Sequence, residues 1–349
     1  MQRTLVKTSA SFGVWPRLIL AILLTMVCAS ATAAPDARPF VLEHLTTADG
    51  LPQGTVMSTL QDSQGFVWLA TEDGLVRFDG QQLLRYTHSR RAPRGLPGNF
   101  IYQVVEDAHH DLWLAIKDTG IARWNRATDT FTSYRHKPAD PRSLTSDSVR
   151  TVLIDGHGRV WIGTTDAGLD ILEPASGRIE HLRHDPADPT SLSNDRVLSL
   201  TNDRSGRVWI GTETGLDYQQ AGQSGFAHSV KGFPVWNVYE DRNGMLWVGA
   251  FDGGLHRLDH EGRLLESFRH DARQPTSLSD DDVRAILEDQ AGHLWVGTAN
   301  GLDLLDRSTG QFTHYRHDSG DAESLRDSLI MSLYEDPGGL LWIGTRAGG

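Results

Sequence analysis

The chain has 349 residues, with 33 Lys+Arg against 45 Asp+Glu, for a formal charge of −12. Apolar residues make up 39% and charged residues 22%, the balance of a globular protein, which excludes a fibrous or disordered chain. The single cysteine, Cys28, excludes a disulfide framework and any multi-cysteine metal centre, and the acidic balance argues against nucleic acid as a partner, because phosphate binding needs a clustered basic surface.

Residues 1–33 read as a secretory signal peptide. Arg3, Lys7 and Arg17 form a basic start, Leu18 to Val27 is apolar apart from Thr25, and Ala31-Thr32-Ala33 offers small residues at a cleavage site. The apolar run is about half of the roughly 20 residues needed to span a bilayer, which favours cleavage over an uncleaved anchor. Cys28 follows bulky Met26 and Val27, unlike a lipoprotein signal. Cleavage after Ala33 removes Cys28 and three positive charges, leaving residues 34–349 with a formal charge of −15. The segment Phe40-Val41-Leu42-Glu43-His44-Leu45 then reads as an orphan outer strand, of the kind that completes the last sheet of a closed ring.

From there the chain repeats one unit. Tryptophans recur at Trp68, Trp113, Trp161, Trp209, Trp247, Trp295 and Trp342, at intervals of 45, 48, 48, 38, 48 and 47. Six residues before each stands an aspartate: Asp62, Asp107, Asp155, Asp203, Asp241, Asp289 and Asp336. Three before it stands a glycine, except at His110 in the second repeat. This spacing predicts a tight hairpin, in which Asp accepts backbone N–H bonds and Gly supplies a positive φ. A Gly-Leu step such as Gly168-Leu169 and an outer aromatic strand such as Phe312-Thr313-His314-Tyr315 follow, so each unit is four short antiparallel strands. Four-stranded units of this period predict an all-β chain folded as a β-propeller, with seven repeats visible. The tryptophan and the residue two after it are expected to face opposite neighbouring sheets. Residues 330–345 supply two strands of a seventh unit, and the expected fragment of a longer polypeptide ends before its third.

Ser191-Leu192-Ser193-Asn194-Asp195-Arg196-Val197, followed by Asp203, Gly206, Trp209 and Gly215-Leu216, recurs in form from Ser277-Leu278 to Gly301-Leu302. These repeats resemble the two-component regulator propeller family, and the resemblance covers residues 40–349. It implies a periplasmic sensor domain followed, beyond this chain, by a linking β-domain, a transmembrane helix and a cytoplasmic output such as a histidine kinase or a GGDEF-type diguanylate cyclase. On that reading the full protein is anchored in the inner membrane through a C-terminal segment absent here. A protein-interaction platform of the envelope and a secreted propeller lyase or glycosidase are the competing readings.

The column six before each aspartate is uniformly β-branched: Val56, Ile101, Val149, Val197, Val235, Val283 and Ile330. The next column is mixed: Met57, Tyr102, Arg150, Leu198, Trp236, Arg284 and Met331. Uniform columns read as packing and mixed ones as surface or funnel. Tyr102, Arg150, Trp236 and Arg284 are therefore candidate ligand contacts, joined by Lys117, Glu213 and Phe251 from the loops between second and third strands. Aromatic faces beside guanidinium groups suit a small molecule, an oligosaccharide or an anionic oligomer. The sequence also admits a homodimer. The 38-residue interval between Trp209 and Trp247 marks a shortened rim loop, a candidate notch. His88, His136, His184, His270 and His317 occupy one repeated place and read as structural, and Asp280-Asp281-Asp282 lacks a calcium-loop pattern. No catalytic or cofactor motif is present, so no catalytic residue, metal or cofactor is expected.

Overall fold

The hairpin chemistry sets the local structure. In a computed structural model describing residues 42–220 and 222–349, the Asp62 carboxylate uses both oxygens. Its Oδ1 accepts the amides of Gln64 and Phe66 at 2.9 and 3.0 Å, and its Oδ2 accepts the Trp68 indole N–H at 2.8 Å. The indole bond recurs in all seven repeats, at 2.8–3.1 Å. One carboxylate thus shapes the turn and satisfies the polar end of a tryptophan that the fold then buries. The glycine of the turn has positive φ in six repeats, and in the second His110 takes φ 65° in its place.

The hairpin joins β1 (Val56–Gln61) to β2 (Val67–Thr71), and β3 (Gly74–Phe78) and β4 (Leu83–Tyr86) complete an antiparallel sheet in chain order. Five further four-stranded sheets follow over residues 101–134, 149–182, 197–231, 235–268, 283–315. In the seventh repeat Ile330–Glu335 pairs with Leu341–Thr345 as a two-stranded sheet. The chain is all-β among the described residues, with six complete sheets and one of two strands.

Burial explains the ring. Each tryptophan packs on the second strand of the next sheet: Trp68 with Leu112 and Leu114, Trp161 with Val208 and Ile210, Trp295 with Leu341 and Ile343. The last, Trp342, packs with Val67 and Leu69 of the first sheet, which closes the circle. The expected opposition between each tryptophan and the residue two after it is corrected by strand geometry. Side chains alternate along a strand, so Trp68 and Ala70 share one face while Val67 and Leu69 take the other. The residue two after the tryptophan is instead a recess for the uniform column of the next sheet. A Cβ on Gly211 would lie 2.5 Å from the Val235 carbonyl oxygen, and one on Gly344 would lie 2.5 Å from that of Val56. The same fit therefore joins the fourth sheet to the fifth and the seventh to the first. Ser332 Oγ donates to the Val56 carbonyl at 3.2 Å, and the Gly349 amide donates to the Gly54 carbonyl at 2.9 Å, across that seam.

Residues 1–33, where a signal peptide is expected, and Phe40 and Val41 of the orphan segment lie outside the described residues. Leu42 packs against the cluster of Trp295, Leu302, Leu325 and Ile330, and Leu45 against that of Leu51, Val56 and Val67, so the segment lies near the seam between the last and first sheets. Residues 42–45, however, form no strand.

Two sets of histidines scaffold the loops above this ring. His88, His136, His184, His270 and His317 each place Nδ1 on a carbonyl oxygen eight residues on, at 2.6–2.9 Å, pinning the loop that enters the next sheet. A second set was not singled out from the sequence. His181, His228 and His314 contact the buried carboxylates of Asp170, Asp217 and Asp303 at 2.6–2.7 Å, and their Nε2 atoms face proline carbonyls at 3.0–3.1 Å. The same carboxylates accept the amides of Thr145, Ser193 and Ser279 from the entering loop. Burial opposes charge on His181, but hydrogen bonds to Asp170 and Pro141 outweigh it and raise its pKa. The bond to Asp303 leads in raising that of His314. Stability from these two groups is full below the unfolded value of about 6.5 and is lost as pH rises through the raised folded values. The melting temperature should therefore fall between pH 6 and the alkaline side of neutrality. In a His181→Gln/His314→Gln protein that fall should flatten; an unchanged slope would clear the latches of the effect.

Candidate ligand site in the hub

In every repeat the innermost strand carries a register shift opposite the tryptophan strand, and the unpaired residue is the mixed column. Ile101 pairs with Ile116 and Gln103 with Ala115, leaving Tyr102 extra. Val149 pairs with Thr164 and Thr151 with Gly163, leaving Arg150. Trp236 and Arg284 are extra in the same way. A bulge turns one side chain out of the alternation, and seven bulges place one side chain per sheet around a common axis. The uniform column beside it stays buried in the ring core.

These residues line a central cavity of about 320 Å³. Arg150 lies within cation–π distance of two rings, its guanidinium carbon 4.5 Å from the Tyr102 centroid and 5.1 Å from that of Trp236. Arg284 lies over Trp236 as well, at 4.7 Å, and its fork is held by Asp282, with Nη2 and Nε at 2.6 and 3.0 Å from Oδ2. Burial lowers the Arg150 pKa, the Tyr102 hydroxyl opposes this, and the charges of Arg284 and Arg196 add to the lowering. Burial raises that of Asp282 against the pull of Arg284. Below the bulges runs a layer of small polar groups, among them Ser58, Thr151, Ser199 and Asn237. Asn237 Oδ1 is buried without a hydrogen-bond partner.

The four inner candidates thus meet in the hub, and the three loop candidates stand one step outward. Phe251 stacks on Trp236 at 5.5 Å. Lys117 lies 5.0 Å over Phe100, which packs on Tyr102 at 4.8 Å. Glu213 does not join them: it pairs with Arg196 at 3.4 Å and borders the notch instead. Sequence reasoning missed Phe100 and Asp282, the supports of Tyr102 and Arg284. Both precede an innermost strand by one residue, a position whose residue type varies from repeat to repeat and so carries no signal in the sequence.

The notch is a real recess. Gly232, Phe233 and Pro234 replace the long loop between the fourth and fifth sheets, and a cavity of about 540 Å³ opens there beside Pro186, Pro189, His228 and Lys231. Its floor is adapted to the missing loop. His256 stands where other sheets carry the loop-binding Asp170, Asp217 or Asp303, and Phe233 stacks on it at 4.4 Å.

A closed ring of repeated antiparallel sheets around a lined hub is a β-propeller. The profile of the two component regulator propeller matches residues 50–73, 143–166, 191–214, 277–300 and 324–347, and the chain belongs to that family. It is similar to the extracellular domain of a hybrid two component system of B. thetaiotaomicron (26% identity, TM-score 0.75), covering 89% of this chain and 41% of that one. It is also similar to the extracellular domain of a one component system of the same organism (25% identity, TM-score 0.67), with 88% and 39% covered. The chain spans about two fifths of the length of these two structures. Virginiamycin B lyase of Staphylococcus aureus shares the fold alone, at 14% identity and TM-score 0.63 over 88% of this chain and 95% of that one. Among curated protein sequences none matches.

Proposed function

We propose that residues 34–349 form the periplasmic ligand-sensing propeller of a transmembrane signalling receptor, with the hub as its binding site. The observation that carries this is the contrast between columns. Positions between sheets repeat one residue type around the ring, while the bulged positions facing the cavity differ from sheet to sheet and carry arginine, tyrosine and tryptophan. Packing alone favours uniformity, and a binding surface needs distinct groups in distinct places. The likeness to extracellular domains of signalling systems supports the placement outside the cytoplasm, and the output domain proposed with it, a histidine kinase or a diguanylate cyclase, is what the family resemblance implies.

The test is a thermal-shift screen of the protein against glycans and envelope oligomers. A ligand that stabilises the wild type should lose its effect in Arg150→Ala and in Trp236→Ala, while the unliganded melting temperature of both variants stays within a few degrees of the parent. A stabilising ligand indifferent to both substitutions would move the site out of the hub.

A further inference from the structure

We infer that the hub selects a small hydroxylated oxyanion, held through its carboxylate, sulfate or phosphate group on the guanidinium edge of Arg150. This deepens the sensor reading and rests on it. The sequence alone allows sugar rings to stack on Tyr102 and Trp236, but the structure closes that route between them. Arg150 lies over both rings, and Arg284 lies over Trp236 as well. With two rings near its flat guanidinium and the Tyr102 hydroxyl as its one side-chain partner, Arg150 keeps N–H donors beyond those that hydroxyl can take, and a guanidinium's N–H groups grip an oxyanion in bidentate fashion.

The charges point the same way. In a chain of formal charge −12, the lining of this cavity contains no carboxylate, and its only charged residues are Arg150 and Arg284. Arg284 is already matched by the fork it makes with Asp282. Arg150 has no carboxylate partner among the described residues, and the charged groups that bear on it are the like charges of Arg284 and Arg196. A half-buried cation with cations for neighbours gains most from a ligand that brings the missing negative charge. The small polar lining residues Ser58, Thr151, Ser199 and Asn237 offer hydroxyl and amide partners for the hydroxyls of such a ligand. A volume of about 320 Å³ sits at the small end of ligand cavities, roughly 300–1,000 Å³, and fits one sugar acid or hydroxy acid better than a polymer.

The test is calorimetric titration of the protein with D-glucuronate, D-glucose 6-phosphate, inorganic sulfate and neutral D-glucose at constant ionic strength. The anions should bind and glucose should not; the rank of carboxylate, phosphate and sulfate then names the oxyanion. Arg150→Gln should weaken the best anion about 10- to 100-fold, the loss of one charge-assisted contact. Asp282→Asn removes the negative charge that matches Arg284 and should tighten binding several-fold, a gain that a merely structural arginine would not produce. Glucose binding as tightly as glucuronate, with both lost in Trp236→Ala, would overturn the anion inference and leave the hub as the site. Anion binding unchanged in Arg150→Gln and Trp236→Ala would overturn the hub itself. If no anion binds at millimolar concentration to a protein with native circular dichroism, the oxyanion proposal is wrong.

Discussion

Trp161→Ala should cost about 3–5 kcal/mol of stability, the loss usual for truncating a fully buried aromatic side chain that leaves a cavity. Trp161 is 0% exposed and packs with Val197, Val208 and Ile210 of the following sheet, so its loss opens the seam between the third and fourth sheets. Its removal also leaves Asp155 Oδ2 without the indole N–H it accepts at 2.9 Å. Trp342→Ala should cost less, because that indole is only partly buried and belongs to a two-stranded sheet. Trp236→Ala should cost least, since its ring faces the hub and is covered by two guanidinium groups and Phe251, not by the core of the next sheet. Urea unfolding followed by far-ultraviolet circular dichroism measures all three. An equal cost for Trp161→Ala and Trp236→Ala would make the hub tryptophan a packing residue and remove the main reason for placing a ligand beside it.

The order of these costs shows what the sequence makes legible. Packing at a repeated position restricts residue type, so Val56, Ile101, Val149, Val197, Val235, Val283 and Ile330 announce themselves as a core column, and all are buried. The hairpin is legible for the same reason: Asp and Gly at fixed spacing answer a local need of the backbone. The second task of that aspartate, holding the indole, was present in the spacing of six residues but was assigned only to the turn. The bulge was not legible, because nothing in the residue type of Tyr102 or Arg150 marks it as unpaired. It appears only as the register on the partner strand, and it is what turns those side chains into the hub. Glu213 was grouped with Tyr102 from loop position alone, whereas the distance outward along the rim decides partners, and there Arg196 is nearer. The pairing of Phe233 with His256 depends on a loop that is missing, so it too is visible only in space.

Asp155→Asn should separate the charge of the repeated aspartate from its shape. The Asp155 carboxylate accepts the His157 and Arg159 amides on Oδ1, and the Trp161 indole and Arg159 Nε on Oδ2, at 2.7–3.0 Å. Burial opposes its ionisation, and these hydrogen bonds outweigh burial to hold its pKa below the ordinary carboxylate value. Asp62, Asp203 and Asp289 are lowered in the same manner. A lowered folded value means stability that is full above the unfolded pKa of about 3.9 and is lost as pH falls through the folded values. The ring should therefore hold at pH 5 and unfold cooperatively in stronger acid, as several turns lose their acceptors over one narrow range. An asparagine has one acceptor oxygen where the site uses two. If its carbonyl keeps the backbone amides, its NH₂ faces the indole N–H; if it turns to the indole, two turn amides are stranded. Either arrangement leaves buried donors unpaired, at about 1–3 kcal/mol each. At neutral pH Asp155→Asn should thus be clearly less stable than the parent, and the gap should narrow in acid, where the parent aspartate takes up its own proton. Unfolding free energies at pH 7 and at the start of the acid transition decide the matter, for a gap that stays constant would mean that the side chain's shape, and not its ionised oxygens, holds the tryptophan in place.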